Sequence, residues 1–211
     1  GKIAWHENAG DGSFISRTLT AQADGASSVI AADLNNDGQL DILSASQNDG
    51  MILYFENMGE GVFQTNVITA DLVGASDVTV ADLNNNGNLD IIACGHEIDR
   101  IVYFRNKGDG SFEEVLVTNN FNGPWMAYPA DINQDGYVDI VSASYLKNRV
   151  AYFENVNGGE SFREVTVKKD VSGAASVAVA DINGDSCPDI ISAIEYDNSY
   201  LWHENTKCGK V

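Results

Sequence analysis

One pattern recurs five times along the 211 residues. An aromatic-polar cluster appears as Trp5-His6-Glu7-Asn8, Tyr54-Phe55-Glu56-Asn57, Tyr103-Phe104-Arg105-Asn106, Tyr152-Phe153-Glu154-Asn155 and Trp202-His203-Glu204-Asn205, in steps of 49, 49, 49 and 50. A phenylalanine in a glycine-rich turn follows the first four: Phe14, Phe63, Phe112 and Phe162. Each lies 19 residues ahead of an Asp/Asn-rich segment. A period of about 40 to 50 residues means that each unit is one supersecondary element that must stack on its neighbours to bury its apolar faces.

Within the first complete unit, four short runs stand between turn signals: SSVIAADL, LDILSAS, MILYFEN and FQTNVIT. Their make-up is that of β-strands, here A to D, and no helical period appears. Strand A is small and apolar (VIAA, VTVA, VAVA), as an innermost strand crowded about an axis must be; strand D is the most polar, as an outer edge should be. The fold class predicted is all-β: a β-propeller of four-stranded antiparallel blades, from about four repeats of ~49 residues, with residues 1–211 a single propeller domain or propeller segment. The chain opens with strands C and D and closes with A, B and C, so two near-identical Trp-His-Glu-Asn strands compete for one slot. Three arrangements follow: a closed four-bladed ring with a displaced end, an open segment of a larger propeller, or a homo-oligomer whose copies share end strands. The opening GKIAWHEN is not a signal peptide.

The segment joining A to B reads DLNNDGQLD from Asp33, DLNNNGNLD from Asp82, DINQDGYVD from Asp131 and DINGDSCPD from Asp181. Side-chain oxygens at positions one, three, five and nine, with glycine usually at six, suit a hard cation. Position twelve is Ser44, Ala93, Ser142 or Ser192, where an EF-hand needs a bidentate glutamate, so this is a different calcium loop. Plain Asx turns without metal would not need the aspartate at position nine. These loops hold eleven of the 31 acidic residues of a chain whose net charge is −19. That charge argues against nucleic acid and anionic lipid as partners. No apolar run of about 18 residues predicts membrane insertion, and no His/Cys spacing predicts zinc.

The D-x-N-x-D-G-x-x-D loop, the small-residue strand before it and the aromatic-polar strand after it resemble FG-GAP/VCBS-type repeats, which build integrin α-subunit propellers, fungal propeller lectins and secreted bacterial adhesion or polysaccharide-processing proteins. The resemblance covers nearly the whole chain. It implies about four structural Ca2+ ions. Their ligands would be Asp33, Asn35, Asp37, Asp41 with the carbonyl of Gln39; Asp82, Asn84, Asn86, Asp90 with Asn88; Asp131, Asn133, Asp135, Asp139 with Tyr137; and Asp181, Asn183, Asp185, Asp189 with Cys187. Two departures matter. Asn86 replaces a carboxylate, so the second loop is expected to bind most weakly. Ser186 replaces glycine in a positive-φ turn. The resemblance further implies a secreted or extracellular protein that meets a glycan or an extracellular protein ligand without catalysis, as a lectin-like or adhesion module. A polysaccharide lyase and an oligomerisation scaffold are the rivals.

Such a ligand is expected on the face opposite the metal loops, where the B–C tips QNDG, GHEIDR, YLKNR and EYDNS vary over a repeating scaffold. In repeat three, GPWMAYPA breaks the small-residue rule and puts Trp125 and Tyr128 in strand A. They read either as an aromatic platform, flanked by His96, Asp99, Tyr145, Arg149 and Asp197, or as core plugging the channel. His96, Tyr145 and Arg149 would be the acid/base set of a lyase. His6 and His203 are repeat equivalents and read as scaffold. Cys187, in the fourth loop, and Cys208, after the last strand C, come to the same face and either form a disulfide or remain two thiols. Cys94 reads as a buried free thiol.

Overall fold

The computed structural model describes residues 1–209; residues 210 and 211 of the expected 1–211 domain lie outside the described residues. Five antiparallel sheets follow one another along the chain. The first pairs β1 (Ile3–Asn8) with β2 (Phe14–Thr20). Three complete blades follow: β3 (Ala26–Ala32), β4 (Asp41–Ser46), β5 (Met51–Asn57) and β6 (Phe63–Thr69); β7 (Ala75–Ala81), β8 (Asp90–Gly95), β9 (Arg100–Asn106) and β10 (Phe112–Thr118); β11 (Pro124–Ala130), β12 (Asp139–Ser144), β13 (Arg149–Asn155) and β14 (Phe162–Lys169). The last sheet holds β15 (Ala174–Ala180), β16 (Asp189–Ile194) and β17 (Ser199–His203). Within each sheet the strands pair in chain order, and the only helical turn described is a 3-10 turn at His96–Ile98. The predicted all-β blade architecture and its A-to-D order are those of the structure.

The core lies between the sheets. Strands such as β8 (DIIACG) are buried along their whole length because neighbouring blades cover both faces, so they read as continuous apolar runs rather than alternating ones. Ala45, Tyr54, Val78, Ile91 and Phe104 pack between the first two complete blades. Ile92, Tyr103, Phe121, Ile140 and Phe153 pack between the next two. Cys94 sits in that layer as a buried free thiol, and burial pushes its pKa well up.

Each repeated anchor has a job at a blade junction. The strand-D phenylalanine meets the aromatic of the preceding sheet edge to face: Phe63 on Trp5 at 6.2 Å, Phe112 on Tyr54 at 6.1 Å and Phe162 on Tyr103 at 5.9 Å. The cluster asparagine reaches back across the junction: Asn106 Nδ2 donates to Leu34 O at 2.7 Å, Asn155 Nδ2 to Leu83 O at 2.7 Å and Asn205 Nδ2 to Ile132 O at 2.8 Å. The A strands β3, β7, β11 and β15 lie side by side. Their small residues allow that approach: Ser27 Oγ donates to Ala75 O at 2.7 Å, and Ser76 Oγ to Pro124 O at 3.1 Å.

Candidate functional site

Two faces carry polar chemistry. On one, the four Asp/Asn loops are held in the same way. The position-one aspartate accepts the N–H groups of positions five and six; in the first loop Asp33 takes Asp37 N at 3.1 Å and Gly38 N at 2.8 Å. Asn35 Oδ1 accepts Asp37 N, and Asp37 Oδ1 accepts Gln39 N. The same bonds recur from Asp82 with Asn84 and Asn86, from Asp131 with Asn133 and Asp135, and from Asp181 with Asn183 and Asp185. Position seven is Gln39, Asn88, Tyr137 or Cys187. Ser186 takes φ +70° where the other loops have glycine at +86° to +91°.

The position-nine aspartate is different. Asp41, Asp90, Asp139 and Asp189 are fully buried. Asp139 Oδ2 accepts Ile132 N at 3.0 Å and Oδ1 accepts Asn155 N at 2.8 Å, tying the loop to the strand-C cluster. The other three do the same. Burial, only partly offset by those bonds, pushes Asp139 up to about 6 and raises Asp90. None of these four takes part in an ion pair among the described residues. Also among the described residues, no group of three or more His, Cys, Asp or Glu side chains stands assembled to hold a metal. The donor chemistry at each loop, two or three carboxylates with amide and carbonyl oxygens, is that of a hard cation.

The sequence did not announce a further regularity. The position-four amide of one loop donates to the next: Asn36 Nδ2 to Asn88 Oδ1 at 2.9 Å, Asn85 Nδ2 to Gly136 O at 2.9 Å and Gln134 Nε2 to Ser186 O at 2.6 Å. The four loops thus form one hydrogen-bonded chain across the blades. Cys187 and Cys208 are joined as a disulfide, with Cα atoms 5.6 Å apart, which ties the segment after β17 to the fourth loop.

On the opposite face, the B–C tips hang from the start of strand A. The N–H groups of Gln47, His96, Tyr145 and Glu195, equivalent positions of successive repeats, donate to Gly25, Gly74, Gly123 and Gly173 O at 2.9 to 3.0 Å. These contacts align His96, Tyr145 and Glu195 on three adjacent blades. Trp125 is 43% exposed, so the core-plug alternative does not hold. It stands in a register shift between Pro124 and Ala127, at the position filled by Ser27 and Ser76 in earlier repeats. A serine there bonds the next blade's backbone; an indole is too large for the junction and turns outward. Its ring lies 4.8 Å from His96 and 6.1 Å from Tyr145. Tyr145 lies 6.4 Å from His96 and 5.7 Å from Tyr196, which is itself 62% exposed. No two of these contacting rings are parallel, so together they form a corner rather than a stack. Gly123 permits it: with φ +64°, its position would put a Cβ 3.0 Å from His96 Cε1.

Polar atoms line the corner. The Tyr145 hydroxyl donates to Glu195 Oε2 at 2.7 Å and lies 2.8 Å from the Tyr196 hydroxyl. Those two bonds raise the Tyr145 pKa, so it stays a neutral phenol. His96 Nδ1 is buried without a hydrogen-bond partner among the described residues.

The remaining expected site residues are not brought here. Tyr128 points to the other side of β11 and packs among Val141, Val150 and Val177 at the third blade junction, because successive side chains of a strand alternate. Asp99 is used up locally, accepting Gly123 N at 3.0 Å and Asn122 Nδ2 at 3.0 Å. Arg149 pairs with Glu164 at 2.8 Å and lies 4.8 Å over Phe121, so the expected His96–Tyr145–Arg149 constellation does not assemble. Asp197 is exposed in the turn beside Tyr196. Glu195 and Tyr196 were missed; reading the B–C tips in register with His96 and Tyr145 would have found Glu195.

Residues 1–44, 33–93, 89–142 and 131–192 each match the family described as FG-GAP-like repeat. No curated protein matches the chain in sequence. Among solved structures, the chain is similar to a lectin of Agrocybe aegerita, described as specifically recognising non-reducing terminal N-acetylglucosamine: 19% identity, TM-score 0.62, covering 98% of this chain and 61% of that one. It is also similar to part of the Photorhabdus luminescens Tc holotoxin pore (17% identity, TM-score 0.54, 99% of this chain and 10% of that one). A third similarity is to the V. cholerae biofilm matrix protein Bap1 (18% identity, TM-score 0.48, 85% and 31%). The chain therefore spans less than two thirds of each of these proteins. At such identities the likeness to the first two is one of fold alone. The four matched segments, which cover most of the chain, place it in the FG-GAP-like repeat family.

Proposed function

We propose that this chain is a non-catalytic carbohydrate-recognition module whose blades are braced by calcium and whose sugar contact is the corner of His96, Trp125, Tyr145 and Tyr196. The observation that carries this reading is Trp125. A large aromatic replaces a small junction residue in one repeat only, and its ring is left in solvent beside those of His96 and Tyr145. An exposed aromatic corner with phenol, imidazole and carboxylate groups around it suits a sugar, whose C–H face packs on rings while its hydroxyls take hydrogen bonds. The similarity in fold to a lectin that recognises terminal N-acetylglucosamine agrees with it.

The role proposed for calcium is structural. Asp33, Asn35, Asp37 and their equivalents would hold it together with the position-seven carbonyls and the buried position-nine aspartates. The ion would supply positive charge to carboxylates that have only N–H and O–H partners. The disulfide and the calcium loops both favour an oxidising, calcium-rich extracellular setting. The reading is tested by a glycan array run on calcium-loaded and on chelated protein. Binding to a defined set of sugars, lost on chelation, is the expected result. A blank array from folded, calcium-loaded protein would overturn the glycan reading.

A further inference from the structure

We infer that the aromatic corner prefers sugars bearing a protonated amine, the free amino sugars, over neutral and acidic ones; this rests on the carbohydrate reading of the same corner. Glu195 comes from the repeat position that supplies His96 and Tyr145, and is carried to the corner's rim by the fourth blade. Its described partner is the Tyr145 hydroxyl, and no ion pair to it forms among the described residues. The cations closest in sequence to the corner are spoken for. Lys147 Nζ, on the same tip as Tyr145, turns to Asn120 Oδ1 at 2.8 Å, and Arg149 is held by Glu164.

A carboxylate without an ion-pair partner, bonded to the same Tyr145 hydroxyl that meets the exposed Tyr196, offers an ammonium group both a counter-charge and ring quadrupoles. An acidic sugar would instead meet Glu195 and a chain of net charge −19.

The test titrates the whole calcium-loaded chain with length-matched oligomers of glucosamine, N-acetylglucosamine and glucose. The glucosamine oligomer is expected to bind about fivefold tighter than the glucose oligomer, by a margin that shrinks with added salt. Glu195→Gln keeps an acceptor for the Tyr145 hydroxyl and should erase that margin, bringing the glucosamine oligomer level with the glucose oligomer measured on the same variant. Equal affinity for the three, or a margin that survives Glu195→Gln, overturns the amine preference and leaves the corner a neutral-sugar site. Binding of none of the three overturns it as well; the array then separates a corner suited to other sugars from a chain that binds no glycan.

Discussion

Replacing Asp139 by alanine should lower the stability of the chain by about 4 kcal/mol, because it strands two buried N–H donors at once, each costing roughly 1–3 kcal/mol. Ile132 N and Asn155 N both end on this carboxylate, and both residues are buried. For a domain of this size that is a fall in melting temperature of about 8–16 °C. Asp135→Ala is the control. Asp135 is on the exposed part of the same loop, where water replaces the lost acceptor. In calcium-free buffer it should melt within a few degrees of the parent, about 1 kcal/mol or less. Thermal unfolding of the two variants side by side checks this. Equal losses would mean that the position-nine aspartate is one more loop acceptor and not the link between loop and strand C.

Calcium should raise the melting temperature by more than that substitution lowers it. One ion at about a thousandfold excess over its dissociation constant stabilises the native state by about 4.1 kcal/mol, and four loops can draw on the same term. A rise of about 8–16 °C is expected from a single filled loop, and more as the others fill. The hydrogen bonds from Asn36, Asn85 and Gln134 into neighbouring loops should make that filling felt beyond one blade. The second loop, with Asn86 where the others have aspartate, should be the last to fill, and Asn86→Asp should bring its affinity level with the rest. Magnesium should give the smaller shift, since it gives up its waters reluctantly and demands a rigid octahedron. Differential scanning calorimetry with calcium and with chelator reads all of this. An unchanged melt would remove calcium from the account.

The blades were legible because their cause is periodic. A 49-residue step, an apolar strand B and a phenylalanine 19 residues ahead of each loop follow from stacking one unit on the next, and the structure puts Phe112 on Tyr54 and Phe162 on Tyr103 accordingly. Trp125 was legible as an exception to the small-residue rule, but its direction was not. The register shift there recurs in every blade, so whether an oversized side chain turns in or out depends on the room left between stacked blades, which no local pattern announces. Tyr128 showed the same limit: three residues after Trp125 in the same strand, it faces the other way, into the junction. Arg149 looked free because its partner Glu164 sits 15 residues on, across a strand pair, where sequence distance says little. The loop-to-loop amide bonds span 51 or 52 residues, one repeat plus two or three, and become visible only when the blades are stacked.

The most direct test of the central claim is calorimetric titration of the best array sugar into the parent chain and into Trp125→Ala, both loaded with calcium and both checked by thermal melt. Trp125 is 43% exposed, and its described contacts are to the rings of His96 and Tyr145, so the variant should melt close to the parent. Its affinity should fall about tenfold or more, the loss of a ring that packs on the sugar. An unchanged affinity in a folded variant would contradict the assignment of the corner as the binding site.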